Sequence, residues 1–236
     1  MSFFVVHTLL FFFTCLVIFE VVFPFFLRVF EKFIVKKISR GSVFLTYDDA
    51  PGNKFQAELL NLLELHEVKA TFFLNAQRAE NNKGGCDELI EKGHELGFHA
   101  YAHYKAPFVT PWRFYRDLVK TRQVLRPWVE PNGYHRFPHG KFFMSSWFMS
   151  IFHGSIPIHW TVDSRDTFPP RPSVSKIIDK IARNGGGVVL MHSFDRPSDR
   201  DVEQYVLDIT EALILYAKTE RLAILKLSSI SQKWHN

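Results

Sequence analysis

The sequence is poor in cysteine and has no glycine-rich loop after its first predicted strand. Two cysteines among 236 residues, Cys15 and Cys86, cannot form the paired framework of a small secreted domain, and they favour a reducing compartment. A dinucleotide-binding fold would place glycines directly after the first strand, where this chain reads YDDAPGN. No basic run alternates with aromatic residues, so we expect no nucleic-acid partner.

The longest apolar stretch covers residues 2–27, and its ionisable side chains besides Cys15 are His7 and Glu20. About two dozen such residues suffice to cross a hydrocarbon core of about 30 Å. The stretch lacks the basic start and the small-residue cleavage site of a signal peptide, so it is interpreted as a retained membrane anchor rather than a buried core helix. Residues 1–37 are assigned to this anchor and its basic flank, and residues 38–236 to the main domain.

Five basic residues follow the apolar stretch, while no lysine or arginine precedes it: Arg28, Lys32, Lys36, Lys37 and Arg40. The positive-inside tendency therefore favours a main domain on the cytoplasmic face. Glu20 and Pro24 lie in the last turns of the stretch, and a shallow in-plane insertion beside anionic lipid is the alternative. Both readings make membrane lipid a partner.

From residue 41 the chain alternates short apolar runs with longer amphipathic ones. Strands are predicted at residues 43–47, 70–75, 95–100, 133–137, 157–162, 187–192 and 222–227. Helices are predicted at residues 55–67, 111–128, 173–187 and 201–218. The fold class is α/β, and seven strand and helix units predict a distorted (β/α)7 barrel related to the eight-stranded kind, with a doubly wound open sheet as the alternative.

Ionisable side chains cluster where the predicted strands end, which is where parallel barrels carry their chemistry. The residues concerned are Asp48, Asp49, His99, His103, Arg136, Asp163, Asp166 and His192. Two histidines four residues apart can direct both imidazoles at one ion, and a carboxylate would complete a site with open positions. Of the adjacent aspartates, one could bind the ion while the other takes a proton from water.

Five segments, TYDDAP, HAYAH, RFPHG, DSRDT and LMHS, follow one another in this order. With them the chain resembles the polysaccharide deacetylase family, the NodB-homology enzymes of carbohydrate esterase family 4, from residue 41 to about residue 230. The resemblance implies that residues 38–236 form a NodB-like catalytic domain. It also implies a divalent metal, usually zinc, with cobalt, manganese or nickel as alternatives.

Residue roles follow from this resemblance. Asp49, His99 and His103 would bind the metal, Asp48 would be the general base and His192 the general acid. Arg136 would hold Asp48 ionised, and an aspartate would favour the imidazolium of His192; Asp163 is preferred over Asp166 for this role. The backbone N–H of His139 would stabilise the oxyanion, and Trp160 and Leu190 would wall the acyl pocket, with Asp166 nearby.

Four positions depart from the family pattern. Ala50 replaces a glycine, Ala100 a serine or threonine that braces the histidine loop, His139 a tyrosine and Thr167 a tryptophan. The aromatic residues at 112, 114, 115, 128, 142, 143, 147 and 148 are interpreted mainly as core, although one or two could stack on a sugar.

The expected function is therefore metal-dependent hydrolysis of an N-acetyl group on an amino sugar, in an envelope glycan or its lipid-linked precursor. Three alternatives stay open: a deformylase of a lipid-linked formamido sugar, a deacetylase of peptidoglycan or chitin-type polymers, and an inactive sugar-binding barrel.

Overall fold

The computed structural model describes residues 3–104, 109–196 and 199–230. Its helices are α1 Phe3–Val17, α2 Phe23–Ile38, α3 Lys54–Leu65, α4 Ala76–Asn81, α5 Lys83–Glu91, α6 Pro111–Leu125, α7 Met144–Phe152, α8 Val174–Asn184 and α9 Arg200–Thr219. Its strands are β1 Ser42–Ala50, β2 Thr71–Leu74, β3 Glu95–Phe98, β4 Tyr134–His135, β5 Ile156–Pro157, β6 Val162–Asp163, β7 Gly187–His192 and β8 Ala223–Ile224. A π-helical turn, Ile18–Val22, joins α1 to α2, and a 3-10 turn covers Pro138–Gly140.

The strands form one parallel sheet in the order β5-β4-β3-β2-β1-β7-β6, and β8 pairs with the start of β1. Only residues 158–161 separate β5 from β6, which are the two ends of this order. Because five residue steps span at most about 18 Å, the sheet has to curl until its ends nearly meet. The predicted α/β fold, a distorted (β/α)7 barrel, is confirmed, and its sheet is a curled parallel half-barrel.

The single strand predicted at residues 157–162 is wrong, because this segment crosses between the two ends of the sheet. The Ile158 N–H bonds to the carbonyl of His135 on β4, whereas the Thr161 N–H bonds to the carbonyl of Val188 on β7. Between them the His159 N–H points elsewhere, to a carboxylate on α2. The segment therefore ends the pairing with β4 and begins the pairing with β7, instead of forming one strand.

Alternate residues of β1 face opposite sides of the sheet, as a period of two requires. Val43, Leu45 and Tyr47 pack under the outer helices in the larger core cluster. Phe44 points into the half-barrel, where it joins a second cluster with Phe73 on β2, Val188 on β7 and other residues. The same inward row continues through Thr46 to Asp48, which brings an acidic side chain to the carboxyl end of the sheet.

The N-terminal helix is long and apolar enough, over Val5–Ile38, to cross a membrane. It also packs along the domain with one face, made by residues spaced three or four apart: Glu20, Pro24, Arg28, Glu31 and Val35. Val35 belongs to the cluster inside the half-barrel. Most other apolar side chains of the helix are exposed. The segment is thus both an apolar helix and a cover for the open side of the sheet.

Candidate active site

Asp48 and Asp49 reach the same site because β1 changes its register between them. The pairing of β1 with β2 shifts between Tyr47 and Ala50, and Asp49 has a left-handed backbone with φ of 63°. Regular alternation would send two adjacent side chains to opposite faces. Here Asp48 points inward and Asp49 turns to the mouth. The glycine missing at position 50 is not needed, since the left-handed residue is Asp49 and Ala50 is fully buried.

Asp49, His99 and His103 form a cluster in which one ligand atom from each lies within 4.8 Å of the others. Oδ1 of Asp49 is 3.4 Å from Nε2 of His103 and 3.9 Å from Nε2 of His99. Nδ1 of His99 lies 2.9 Å from the carbonyl oxygen of Arg136, so Nδ1 carries the hydrogen and Nε2 keeps its lone pair for a ligand. One carboxylate and two imidazoles in this arrangement fit a divalent ion such as zinc.

The protonation states of this cluster also suit a cation. Burial alone would raise the pKa of Asp49, but the electrostatic influence of its neighbours, His99 and His103 foremost, lowers it below its ordinary value. Burial lowers the pKa of His103, which favours its neutral, ligating form. The cluster therefore offers an ionised carboxylate and a neutral imidazole.

The loop that carries His99 and His103 contains residues with left-handed backbone conformation and is fixed by hydrogen bonds to α6. Ala100 has φ of 69° and His103 has φ of 50°. Asp117 on α6 accepts hydrogen bonds from the N–H groups of Tyr101 and Ala102, both at 3.0 Å. With alanine at position 100, Asp117 supplies the bracing of this loop.

Arg136 is completely buried behind the cluster. Its Nη1 donates to Oδ1 of Asp48 and to Oγ1 of Thr46, both at 2.8 Å, and its guanidinium lies 4.0 Å from the ring centre of Phe73. Burial lowers the pKa of Arg136, and the charge of Asp48 opposes this effect. With Oδ1 held by Arg136, Asp48 presents Oδ2 to the site, 3.8 Å from Nε2 of His99.

His192 pairs with Asp166, so the preference for Asp163 is wrong. Nδ1 of His192 lies 3.0 Å from both carboxylate oxygens of Asp166, which is fully buried. Asp163 instead accepts the N–H of Arg165, a left-handed residue at which the chain turns back. This turn carries Asp166 beneath His192. Burial opposes the charge of His192, but Asp166 outweighs it and raises the pKa of His192 to about 9.

A cavity of about 820 Å³ opens above these groups. The predicted residues that line it are Asp48, Asp49, His99, His103, His139, Trp160, Asp163, Leu190 and His192. Arg136 and Asp166 are not among the lining residues, because each lies behind a side chain that it orients. Asp166 is thus not the substrate-pocket residue that was expected.

Several lining residues were missed from the sequence. Phe168, Phe194 and Arg196 line the cavity, and Arg196 lies 4.3 Å over the ring of Phe194. Phe194 and Arg196 lie two and four residues after His192, in the loop after β7, so the rule that found His192 could have found them. Sequence offered no signal for Asp117, which lies in the middle of an amphipathic helix.

One wall of the cavity depends on a glycine and on the N-terminal helix. Gly140 has φ of 60°, and a Cβ there would lie 2.6 Å from the ring of Trp160 and 3.0 Å from Nη2 of Arg28. The Arg28 guanidinium itself lies 5.2 Å from the centre of that ring. His139 precedes this glycine, and its ring centre lies 4.7 Å from that of His103. The helix thus contacts the pocket wall.

Of the aromatic residues expected in the core, some are buried and others are exposed. Phe142 is buried, whereas 66% of Trp112 and 39% of Phe148 are exposed. The aromatic residues around the cavity are Trp160, Phe168 and Phe194, all outside the expected set.

At one mouth of the curled parallel sheet lie an Asp-His-His cluster that could hold a metal ion, a second aspartate and a carboxylate-paired histidine. These are the groups that a hydrolase needs. A family model described as polysaccharide deacetylase matches residues 36–149. The peptidoglycan-N-acetylglucosamine deacetylase of Bacillus cereus is 29% identical over 161 residues, covering 66% of this chain and 57% of the relative. The chitooligosaccharide deacetylase of a Bradyrhizobium species is 28% identical over 163 residues, covering 67% and 73%.

Among solved structures, a peptidoglycan N-acetylglucosamine deacetylase in complex with 4-naphthalen-1-yl-N-oxidanyl-benzamide superposes with a TM-score of 0.71 at 26% identity. The match covers 81% of this chain and 88% of that one. The family model, the curated relatives and the solved structure all support a place for this chain in the polysaccharide deacetylase family. The chain spans about half the length of some curated relatives, 50% in one case and 57% in another.

Proposed function

We propose that the protein is a divalent-metal-dependent hydrolase that removes the N-acetyl group of an amino sugar. The observation that carries this proposal is the position of Asp48 and His192 around the Asp49, His99 and His103 cluster. Asp48 and His192 are paired opposite each other on the neighbouring strands β1 and β7. Base and acid therefore stand side by side at one cavity, next to a cluster that suits a cation.

Asp49, His99 and His103 would hold the ion. A bound divalent ion lowers the pKa of water and polarises an acyl carbonyl. Oδ2 of Asp48 would take the proton of the attacking water, because Oδ1 is occupied by Arg136. Nε2 of His192 would deliver a proton to the amine nitrogen as the C–N bond breaks, since Nδ1 is held by Asp166. The products are acetate and the free amine.

The acyl group would lie against Trp160 and Leu190, which line the cavity together with His139. The backbone N–H of His139 is proposed as the donor to the developing oxyanion. The left-handed conformation of His139 and the contact between Gly140 and Trp160 support this placement, because both shape the backbone beside the cluster. Such a pocket needs room for little more than a methyl group.

The preferred substrate is an amino sugar linked to a lipid carrier, used in assembling an envelope glycan. The relatives are named for peptidoglycan N-acetylglucosamine and for chitooligosaccharides, which are N-acetylated glycans. The lipid link is supported by the helix Val5–Ile38, proposed as a membrane anchor with residues 1–37, and by the contact of Arg28 with the pocket wall. The cytoplasmic face is the proposed side, from the basic residues that follow the apolar stretch.

The test is acid release by the full chain, purified in detergent, stripped with a chelator and reloaded in turn with zinc, cobalt, manganese or nickel. Substrates are N-acetylated chitin oligomers, peptidoglycan strands and a polyprenyl-phosphate-linked N-acetyl amino sugar. We expect acetate from the lipid-linked substrate, no acetate before reloading, and no formate from the corresponding formamido sugar.

Asp48→Asn is the matched control, because it removes the base and keeps the three ligands. Release of acid at the level of this control by every metal form would overturn the enzyme proposal and favour an inactive sugar-binding barrel. Formate from the formamido sugar, without acetate, would identify a deformylase. Acetate release from the polymers and not from the lipid-linked sugar would rule out the lipid-linked sugar as the substrate.

A further inference from the structure

Helix α7 has an apolar face that points away from the protein. Phe148, Ile151 and Phe152, spaced three and four residues apart, are 39%, 40% and 85% exposed. The helix MSSWFMSIF contains no charged residue. A surface helix in water normally turns charged or polar side chains outward. This exposed face, called here the α7 face, therefore has the character of a buried surface.

The α7 face is continuous with the N-terminal helix. The ring of Phe148 stacks on that of Phe19, with centres 6.5 Å apart and planes inclined by 14°. Beside this stack, the N–H and Oγ of Ser145 donate to Oε2 of Glu20 at 3.1 and 2.9 Å. The start of α7 is thus attached to the apolar helix, and both helices expose aromatic side chains at the junction.

The position of this junction along the N-terminal helix determines how deep it would lie in a bilayer. Phe19 lies fourteen residues after Val5, which corresponds to about 21 Å along a helix. A hydrocarbon core is about 30 Å thick, so a helix inserted with Val5 at the far boundary still has Phe19 inside the core. Phe148 would then lie at the level of the acyl chains or of the headgroup boundary.

The partner of Glu20 agrees with this placement. A carboxylate inside an apolar helix is costly in lipid unless protein groups satisfy it. Glu20 has its partners in Ser145, at the first turn of α7, where free N–H groups and the helix dipole favour a negative charge. The contact keeps Glu20 satisfied while its helix is surrounded by lipid.

We propose that the α7 face is a second membrane contact, lying in the interfacial layer of the bilayer beside the anchoring helix. The inference rests on the proposed membrane insertion of that helix and does not depend on the deacetylase reaction. Arg28 follows Glu20 by eight residues, about 12 Å along the helix, and contacts Trp160 in the wall of the cavity. The cavity is therefore held close to the bilayer surface, where a lipid carrier would present its sugar.

The experiment measures the depth of a label on the full chain. Phe152→Cys is made in a Cys15→Ser background, since Cys86 is buried. The protein is labelled with bimane and reconstituted into vesicles of phosphatidylcholine and phosphatidylglycerol. The matched control is Leu215→Cys on α9, which is also apolar and is 50% exposed. Doxyl groups near the headgroup report on lipid contact, and iodide reports on contact with water.

We expect doxyl lipid to quench the label at position 152 several-fold more than that at position 215, and iodide to quench them in the opposite order. Equal iodide quenching at both positions, without an effect of doxyl lipid, would overturn the proposal. Concentration-dependent cross-linking of position 152 between two chains, without lipid quenching, would overturn it in favour of a second copy as the occupant. Because the readout is quenching, an inactive protein would still answer the question.

Discussion

Nη1 of Arg136 lies 2.8 Å from Oδ1 of Asp48, in a position where Arg136 has no exposed surface and Asp48 is 3% exposed. Removing one member of a buried pair leaves the other charge unpaired, which costs about 3–5 kcal/mol. We therefore expect Arg136→Met to lower the thermal stability of the detergent-solubilised protein strongly. Adding Asp48→Asn to that variant removes the orphaned charge, so the double variant should recover part of the loss. Additive losses in the melting curves would show that the two residues are not coupled.

Asp48→Asn alone should separate catalysis from metal binding. Loss of a general base lowers kcat by about 10²–10⁴-fold. Asp49, His99 and His103 remain, so zinc affinity measured by competition with a chelating dye should stay close to that of the native chain. His103→Ala is the comparison, and it should weaken zinc binding as well. Equal zinc loss in both variants would place Asp48 among the ligands.

Asp117 should influence the metal site without touching it. Asp117→Asn leaves one acceptor for two N–H groups, so the loop that carries His99 and His103 should loosen. Groups that orient ligands typically change metal affinity by about 10–100-fold. We expect a loss in this range by chelator competition. Asp87→Asn is the control, because Asp87 accepts a hydrogen bond from the Trp128 ring nitrogen and takes no part in the histidine loop's bracing, so this variant should bind zinc normally.

The pH profile should reveal which aspartate serves His192. With a pKa of about 9, His192 is protonated at neutral pH and can act as an acid, so kcat should fall as pH rises through about 9. Asp166→Asn removes the carboxylate that raises this pKa, and the alkaline fall should move to lower pH. Asp163→Asn should leave it in place. The reverse behaviour of the two variants would restore Asp163 as the partner.

The same pair should affect stability in a defined pH window. A histidine whose pKa rises on folding, from 6.5 to about 9, contributes stability that is fully present below pH 6.5. This contribution is lost as pH rises through about 9. The native chain should therefore lose more thermal stability between these pH values than Asp166→Asn does.

Glu31 on α2 should control the position of the pocket wall. Its carboxylate oxygens accept from the N–H of His159 and contact Nδ1 of His159, both at 2.7 Å, next to Trp160. Glu31→Leu would leave both groups without this acceptor, at a cost of about 1–3 kcal/mol. We expect a lower melting temperature and a higher KM for the acylated sugar. Lys32→Leu, at an exposed neighbouring position, should change neither property.

The order of polar residues along the chain determined most of the candidate site. Ionisable residues lie at strand ends, at positions 48, 49, 99, 103 and 192. Because parallel strands place their carboxyl ends together, this pattern was sufficient to predict that these side chains meet at one end of the barrel. The spacing of the charged residues in the apolar helix, at positions 20, 28 and 31, also places them on one face. These features depend on local periodicity, which the amino-acid order carries directly.

Tertiary structure alone decided which partners meet. Asp163 and Asp166 are three residues apart, and only the left-handed turn at Arg165 shows which one reaches His192. The composition of the crossing at residues 158–161 suits a strand, and so it was predicted as part of one. The curling of the sheet instead makes its N–H groups bond in three directions. Backbone turns and contacts between distant segments set these outcomes, because they depend on how the whole sheet curls and on the helix that covers its open side.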